Sequence, residues 1–195
     1  MAGETVNTAT TLPLDAFDKL QLDAGVLLTE FTPAATPSID RTKILGATTG
    51  GIHASCVPEF EDFAEDVDNA PNNLKEFKRI TGYNCEITAT LLNISAAGAK
   101  RILGAADIDG TNTNMVTPRM ELDADTDFAD LWWVGDMADG GYCAVKVINA
   151  LSTGGLSIQT TKKGKGQFAV TFTGHIALAD PSIVPMVVYV YPAAS

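Results

Sequence analysis

The sequence predicts a mainly β protein: an antiparallel β-sandwich or barrel with one short flanking α-helix and long loop arms. Three observations predict it. Apolar and polar residues alternate with period two through much of the C-terminal half, glycine-containing turns punctuate those runs, and one segment alone carries a full set of helix start and stop signals. At 195 residues and 46% hydrophobic, the chain is long enough for a single core and too apolar for a disordered protein.

Taken in order, the N-terminus (Met1-Ala2-Gly3-Glu4-Thr5) has neither a basic start nor an apolar run, so no signal peptide is expected. Leu14 to Leu20 offers a second, short helical possibility, with Phe17 and Leu20 on one side. Residues 32–43 carry Pro33 and Pro37 and should be irregular. Pro58 to Asn73 holds Glu59, Glu61, Asp62, Glu65, Asp66 and Asp68 with no cation, and reads as a long acidic loop; connections of that length are usually functional or interaction arms.

The strand signals follow. In Glu86 to Leu91, Ile87, Ala89 and Leu91 share one face, as in a half-buried strand. Ser95 to Gly104 is the helix: a capping serine, Lys100 and Arg101 in the last turn, and a glycine stop. Tyr142 to Leu151 is β-rich. Leu156 to Thr160 and Gln167 to Leu178 read as a hairpin whose tip, Lys162-Lys163-Gly164-Lys165-Gly166, is basic, with its glycines supplying the positive φ of the turn. Met186 to Tyr191 is apolar on both faces and is expected to be covered on both. The surrounding run from Ile183 to Ala194 is broken by Pro185 and Pro192 and falls short of the ~20 apolar residues of a membrane helix.

Charge and cysteine usage narrow the function. Thirteen Lys+Arg against 24 Asp+Glu give a net charge of −11, which excludes a general binder that neutralises nucleic-acid phosphates. Cys56, Cys85 and Cys143 are odd in number, far apart and without a CxxC pair, so no disulfide framework is expected and folding in a reducing cytoplasm is implied.

Candidate chemistry is sparse. Asp123-x-Asp125-x-Asp127, with Asp130 following, has the alternation of a calcium loop. However, its sixth position is Phe128 rather than glycine and its twelfth is Val134 rather than glutamate, which favours a solvated acidic turn. His53-x-x-Cys56 is half of a zinc site without its second half. His175 reads as a hydrogen-bonded surface or interface histidine. The lysine-glycine tip lacks the Walker A spacing, and there is no GxSxG. No enzyme, cofactor or metal site is expected. Trp132 and Trp133 are adjacent, so on a strand they point to opposite faces, and one of them is a candidate subunit contact.

The order of several segments resembles the major tail tube proteins of long-tailed bacteriophages, particularly those in phages and prophages of Gram-positive bacteria. The segments are Leu22-Asp23-Ala24-Gly25-Val26, Ala47 to Ile52, Pro58 to Asn69, Leu74 to Arg79, Asp130 to Asp136, Asn149 to Gly155 and Lys162 to Gly166. The resemblance covers roughly residues 20–192 and implies a β-sandwich domain over 21–195; residues 1–20 fall outside it and read as an N-terminal arm peculiar to this chain. Residues 48–73 would be a loop arm reaching the neighbouring ring.

It further implies a structural virion protein without enzymatic activity, assembled in the host cytoplasm and located in the tail. Its partners would be other copies of itself in stacked hexameric rings, a tape-measure protein, a tail terminator, distal tail or baseplate proteins, and genomic DNA in transit; no membrane is involved. Glu59, Glu61, Asp62, Glu65, Asp66, Asp68, Trp132, Trp133, Lys162, Lys163 and Lys165 are the candidate assembly contacts. The alternatives are the tube protein of a contractile tail or phage-like particle, a head-decoration sandwich, or, in a different class, a Ca²⁺- or carbohydrate-binding β-sandwich using Asp123, Asp125 and Asp127.

Overall fold

Alternation of apolar side chains gives the chain one large antiparallel sheet, and a bend through that sheet gives it a core. The computed structural model describes Pro13 and residues 16–193. The strands are β1 (Val26–Leu28), β2 (Thr48–Asp62), β3 (Lys78–Leu91), β4 (Ala106–Ile108), β5 (Val116–Pro118), β6 (Ala129–Asp136), β7 (Tyr142–Ser152), β8 (Ser157–Gln159), β9 (Gln167–Thr173) and β10 (Met186–Tyr191). One helix, α1 (Ala96–Leu103), and a 3₁₀ turn over Arg41–Lys43 complete the set among the described residues. Eight strands form one sheet in the order β1-β6-β7-β9-β3-β2, with β10 on β7 and β8 on β9; β4 and β5 pair separately. The mainly β, antiparallel fold with a single short helix is as expected from the sequence.

The long strand β7 joins the two halves of the sheet. Its first part pairs with β6 and β10, and its last residues, Leu151 and Ser152, pair with β9. Between those parts Asn149 adopts a φ of 48°, a conformation that short polar side chains tolerate. The bend folds the two halves over one core: Leu27 of β1, Ile87, Ala89 and Leu91 of β3, Ile102 of α1, Leu131 of β6, Val147 and Ala150 of β7, and Val170 and Phe172 of β9. A second cluster lies on the other side of the β1–β6–β7 half, where Leu28, Trp132, Val134, Tyr142 and Ala144 are covered by Phe31 and Ile44 of the preceding irregular segment.

Local signals explain the helix. Ser95 accepts a hydrogen bond from the Gly98 amide at 3.0 Å, and Gly104 closes the helix with a φ of 80° that a side chain rarely adopts. Arg101 in the last turn donates to the carbonyls of Ala129 and Asp130, tying the helix to the start of β6.

Four expectations are corrected. Residues 58–62 are strand rather than loop: β2 runs to Asp62 and pairs with β3 through Asp62↔Lys78. Pro58 is tolerated because β2 is the sheet edge, where an amide facing outward has no ladder partner to lose. The strand beginning at Gln167 ends at Thr173 rather than Leu178. The positive φ of the 160–166 turn falls on Lys163 (65°), not on its glycines. Finally, β10 is not covered on both faces, since Val188 and Val190 are 57% and 60% exposed. The suggested helix over 14–20 lies partly outside the described residues; residues 16–19 form a turn in which Leu20 donates to the Phe17 carbonyl. The 1–20 arm lies largely outside them too.

Candidate functional site

The longest pairing in the molecule is the β2–β3 hairpin, and its distal half stands clear of the core. Gly50 and Gly51, with φ of 76° and 86°, form a bulge at its root between the Thr49↔Thr90 and Ile52↔Ala89 pairs. Beyond it, Ala54↔Ile87, Cys56↔Cys85 and Pro58↔Tyr83 continue the face that carries the core, followed by Phe60↔Ile80 after a second register shift. Phe60 and Ile80 have no core beneath them and are 56% and 51% exposed. The opposite face is mostly polar, with Glu59 and Glu61 exposed along it beside an exposed Val57. The arm is therefore an amphipathic ribbon whose apolar stripe runs out of the core into solvent.

The carboxylates cluster at the end of this ribbon, and one of them is structural. Asp62 accepts from the Ala64 and Asn73 amides at 3.0 and 2.9 Å, which closes the tip over residues 63–77. The tip's cations are engaged locally: Lys78 donates to Asn73 and lies over the Phe60 ring, and Arg79 lies over Phe63. Among the described residues, Glu59, Glu61, Glu65, Asp66 and Asp68 have no ion-pair partner and are exposed. The tip presents unneutralised negative charge.

Lys162, Lys163 and Lys165 sit in the turn between β8 and β9, exposed and also without an ion-pair partner among the described residues. The strand register fixes where this turn lies relative to the arm. β9 runs antiparallel to β3 with Phe168 opposite Leu91 and Thr173 opposite Glu86, so the basic turn adjoins the Leu91 end of β3. The acidic tip adjoins its Lys78 end. Fourteen residues of strand separate the two, roughly 45 Å at the usual rise. The two oppositely charged groups lie at opposite ends of one sheet and cannot meet within one chain.

The two tryptophans point to opposite faces of β6, as adjacency requires. Trp132 is 6% exposed, packed edge-on against Phe31, near Tyr189, and under the Lys146 ammonium at 5.4 Å. Trp133 is half-buried against the main core and donates Nε1 to the Ala24 carbonyl at 2.9 Å. Both find their partners within the chain. The exposed apolar residues that sequence reasoning missed lie elsewhere, on β10 and on the arm. Val188 and Val190 line an edge strand, and no strand among the described residues pairs with its outer side. The signals were present: Cys56, Pro58 and Phe60 alternate, and Met186 to Tyr191 is a two-sided apolar run.

The residues weighed for chemistry are occupied structurally. Asp127 is buried, pairs with the Arg119 guanidinium and accepts from the Asp123 amide, while Asp123 accepts from the Asp125 amide. His53 and Cys56 lie three residues apart on one strand and so face opposite ways. His175 Nδ1 lies 3.3 Å from the Asn149 carbonyl, with its ring edge-on to Phe128. Cys56 and Cys85, distant in sequence, are direct cross-strand partners with their sulfurs 2.6 Å apart. Burial pushes the Cys85 thiol up to about 12, and its hydrogen bond with Cys56 adds to the rise. Among the described residues no group of three or more His, Cys, Asp or Glu is arranged to hold a metal ion, and no helix is long and apolar enough to cross a membrane.

No protein-family model matches the chain, and no curated protein matches it. Among solved structures, a chain of the virion of a native gene transfer agent particle is similar at 10% identity and a TM-score of 0.42, over 79% of this chain and 92% of its own length.

Proposed function

We propose that this chain is a structural, non-enzymatic subunit of a phage-like virion that polymerises as stacked hexameric rings into a tail tube, the conduit for genome ejection. One observation carries the reading: exposed, unpaired charge of opposite sign sits at the two ends of a single sheet, acidic on the β2–β3 arm and basic at Lys162, Lys163 and Lys165. Complementary patches at opposite ends of a subunit make a head-to-tail contact, and contacts of that kind build an open stack where the rotation between subunits does not close on itself. The apolar stripe of the arm gives such a contact a dry centre, which charge alone would not.

The open β10 edge with Val188 and Val190 supports lateral joining of sheets around a ring, since an apolar unpaired edge is otherwise an aggregation hazard. The resemblance of segment order supplies the rest: the tape-measure, terminator and baseplate partners, the tail location and the assembly in the host cytoplasm. Six copies multiply the net charge of −11 sixfold. A lumen carrying part of that charge repels DNA phosphates within about 8–10 Å at physiological salt and keeps the genome from adhering in transit. Negative-stain microscopy of the purified protein at high concentration tests the reading. Rings or tubes are expected; a field of dispersed monomers at every concentration overturns it.

A further inference from the structure

Among the described residues, Cys56 and Cys85 are a pair of reactive side chains that the fold brings together and the assembly reading leaves unused. They sit directly opposite each other at the root of the arm's free half, where the core-facing stripe leaves the body. Directly opposed residues of an antiparallel ladder have Cα atoms about 4.5–5.5 Å apart, within the 4.4–6.8 Å span of disulfides, and side chains on the same face. The sulfurs are already in contact. Access is asymmetric: Cys56 is exposed, whereas Cys85 is fully buried. Cys143, the third thiol, lies on β7 opposite Gly135 and Val190, away from the arm.

We propose that Cys56 and Cys85 form a redox-responsive clip, which closes into an intrachain cross-strand disulfide when the protein meets a low-molecular-weight disulfide. The Cys56 thiolate attacks one sulfur of the oxidant, forming a mixed disulfide and releasing one small thiol. Cys85 then loses its proton to solvent and attacks the Cys56 sulfur, expelling the second small thiol. Two protein thiols are oxidised and one external disulfide is reduced to two thiols. Burial keeps Cys85 from the oxidant, and also raises its proton affinity, until the exposed Cys56 has reacted, which sets the order of the two steps. The bridge encloses residues 57–84, the whole free half of the arm, and locks β2 to β3 at its base. The clip does not depend on the arm's partner.

The full-length protein, incubated with oxidised glutathione and read by intact mass and peptide mapping, tests this. The wild type and Cys143→Ser should each lose two hydrogens, carry no glutathione, and yield a Cys56–Cys85 linked peptide. Cys85→Ser should instead retain one glutathione on Cys56, while Cys56→Ser should leave Cys85 unmodified. Circular dichroism of the reduced forms checks that each variant folds. After trypsin cuts at Lys75, Lys78 or Arg79, the fragments carrying Cys56 and Cys85 should stay joined until reductant is added. Glutathione remaining on wild-type Cys56, a disulfide between two copies, or no change in mass would overturn the clip.

Discussion

Asp130 and Lys146 meet across the β6–β7 ladder with carboxylate oxygen and ammonium nitrogen 2.6 Å apart, beside the bend that folds the sheet over its core. The register shift between Ala129 and Leu131 frees Asp130 from the regular alternation. Its other oxygen accepts from the Asn149 amide at 3.2 Å, in the residue whose positive φ makes the bend. One carboxylate thus holds both sides of the corner. Asp130→Ala should cost about 1–3 kcal/mol in urea unfolding, because it leaves a half-buried amide and an ammonium without their partner. Lys146→Met keeps the stem packed on Trp132 and should cost less. The double variant should be less destabilised than the two added together; strict additivity would contradict the coupling.

The tryptophans should separate by role. Trp132 is enclosed by Phe31, Tyr189 and Lys146, so Trp132→Ala should lose about 3–5 kcal/mol of monomer stability. Trp133→Phe retains most of the packing and loses the hydrogen bond to Ala24, at a cost of about 1 kcal/mol. Chemical denaturation of unassembled protein measures both, and equal small losses would argue that Trp132 is not a core residue.

Asp40 supplies a pH signature. Its carboxylate accepts from the hydroxyl and amide of Thr42, at 2.7 and 2.8 Å, and these bonds hold its pKa below the usual carboxylate range. A lowered folded pKa means that the stabilisation is fully present above the unfolded value of about 3.9 and is lost as pH falls through the folded one. The 3₁₀ turn over Arg41–Lys43 should therefore loosen only below about pH 4. Asp40→Asn, which keeps an acceptor, should flatten that dependence. An NMR titration in which Asp40 follows an ordinary carboxylate would contradict the assignment.

The apolar stripe of the arm should matter to association and little to folding. Phe60 and Ile80 lie over no core, so Phe60→Asp and Ile80→Asp should each cost only the cross-strand and Lys78 contacts, about 1 kcal/mol of monomer stability. Both should suppress polymer formation, read by sedimentation of concentrated protein. Polymers at the wild-type yield would mean the stripe is not a contact.

Much of the fold was legible because burial on one side of a sheet writes itself as alternation. Ile87, Ala89 and Leu91 announced β3, and Ser95 and Gly104 bounded α1 to within a residue. The free half of the arm reads as loop because its strands are exposed on both faces and carry Glu59, Glu61, Asp62, Lys78 and Arg79; Pro58 and the carboxylates are loop-like signals, although an edge strand accommodates both. Val188 and Val190 were misjudged for a related reason. A two-sided apolar strand reads as buried from the sequence, whether its cover is the same chain or another. The Cys56–Cys85 pairing depends on register across 29 residues, which no local pattern encodes. The candidate charges were found individually, but their placement at opposite ends of the sheet follows from the β3–β9 pairing.

Head-to-tail pairing of the acidic arm of one subunit with the basic turn of another is open to a charge exchange. Lys162, Lys163 and Lys165 changed together to Glu should abolish polymers in negative-stain images. Changing Glu59, Glu61, Glu65, Asp66 and Asp68 to Lys should do the same. Combining both sets in one chain restores the complementarity with its sign inverted, mixing the two variants restores it with the two signs alternating, and both should restore polymers. Wild-type polymers from either single set, or none from the combined chain while it remains folded, would contradict head-to-tail pairing of these two ends.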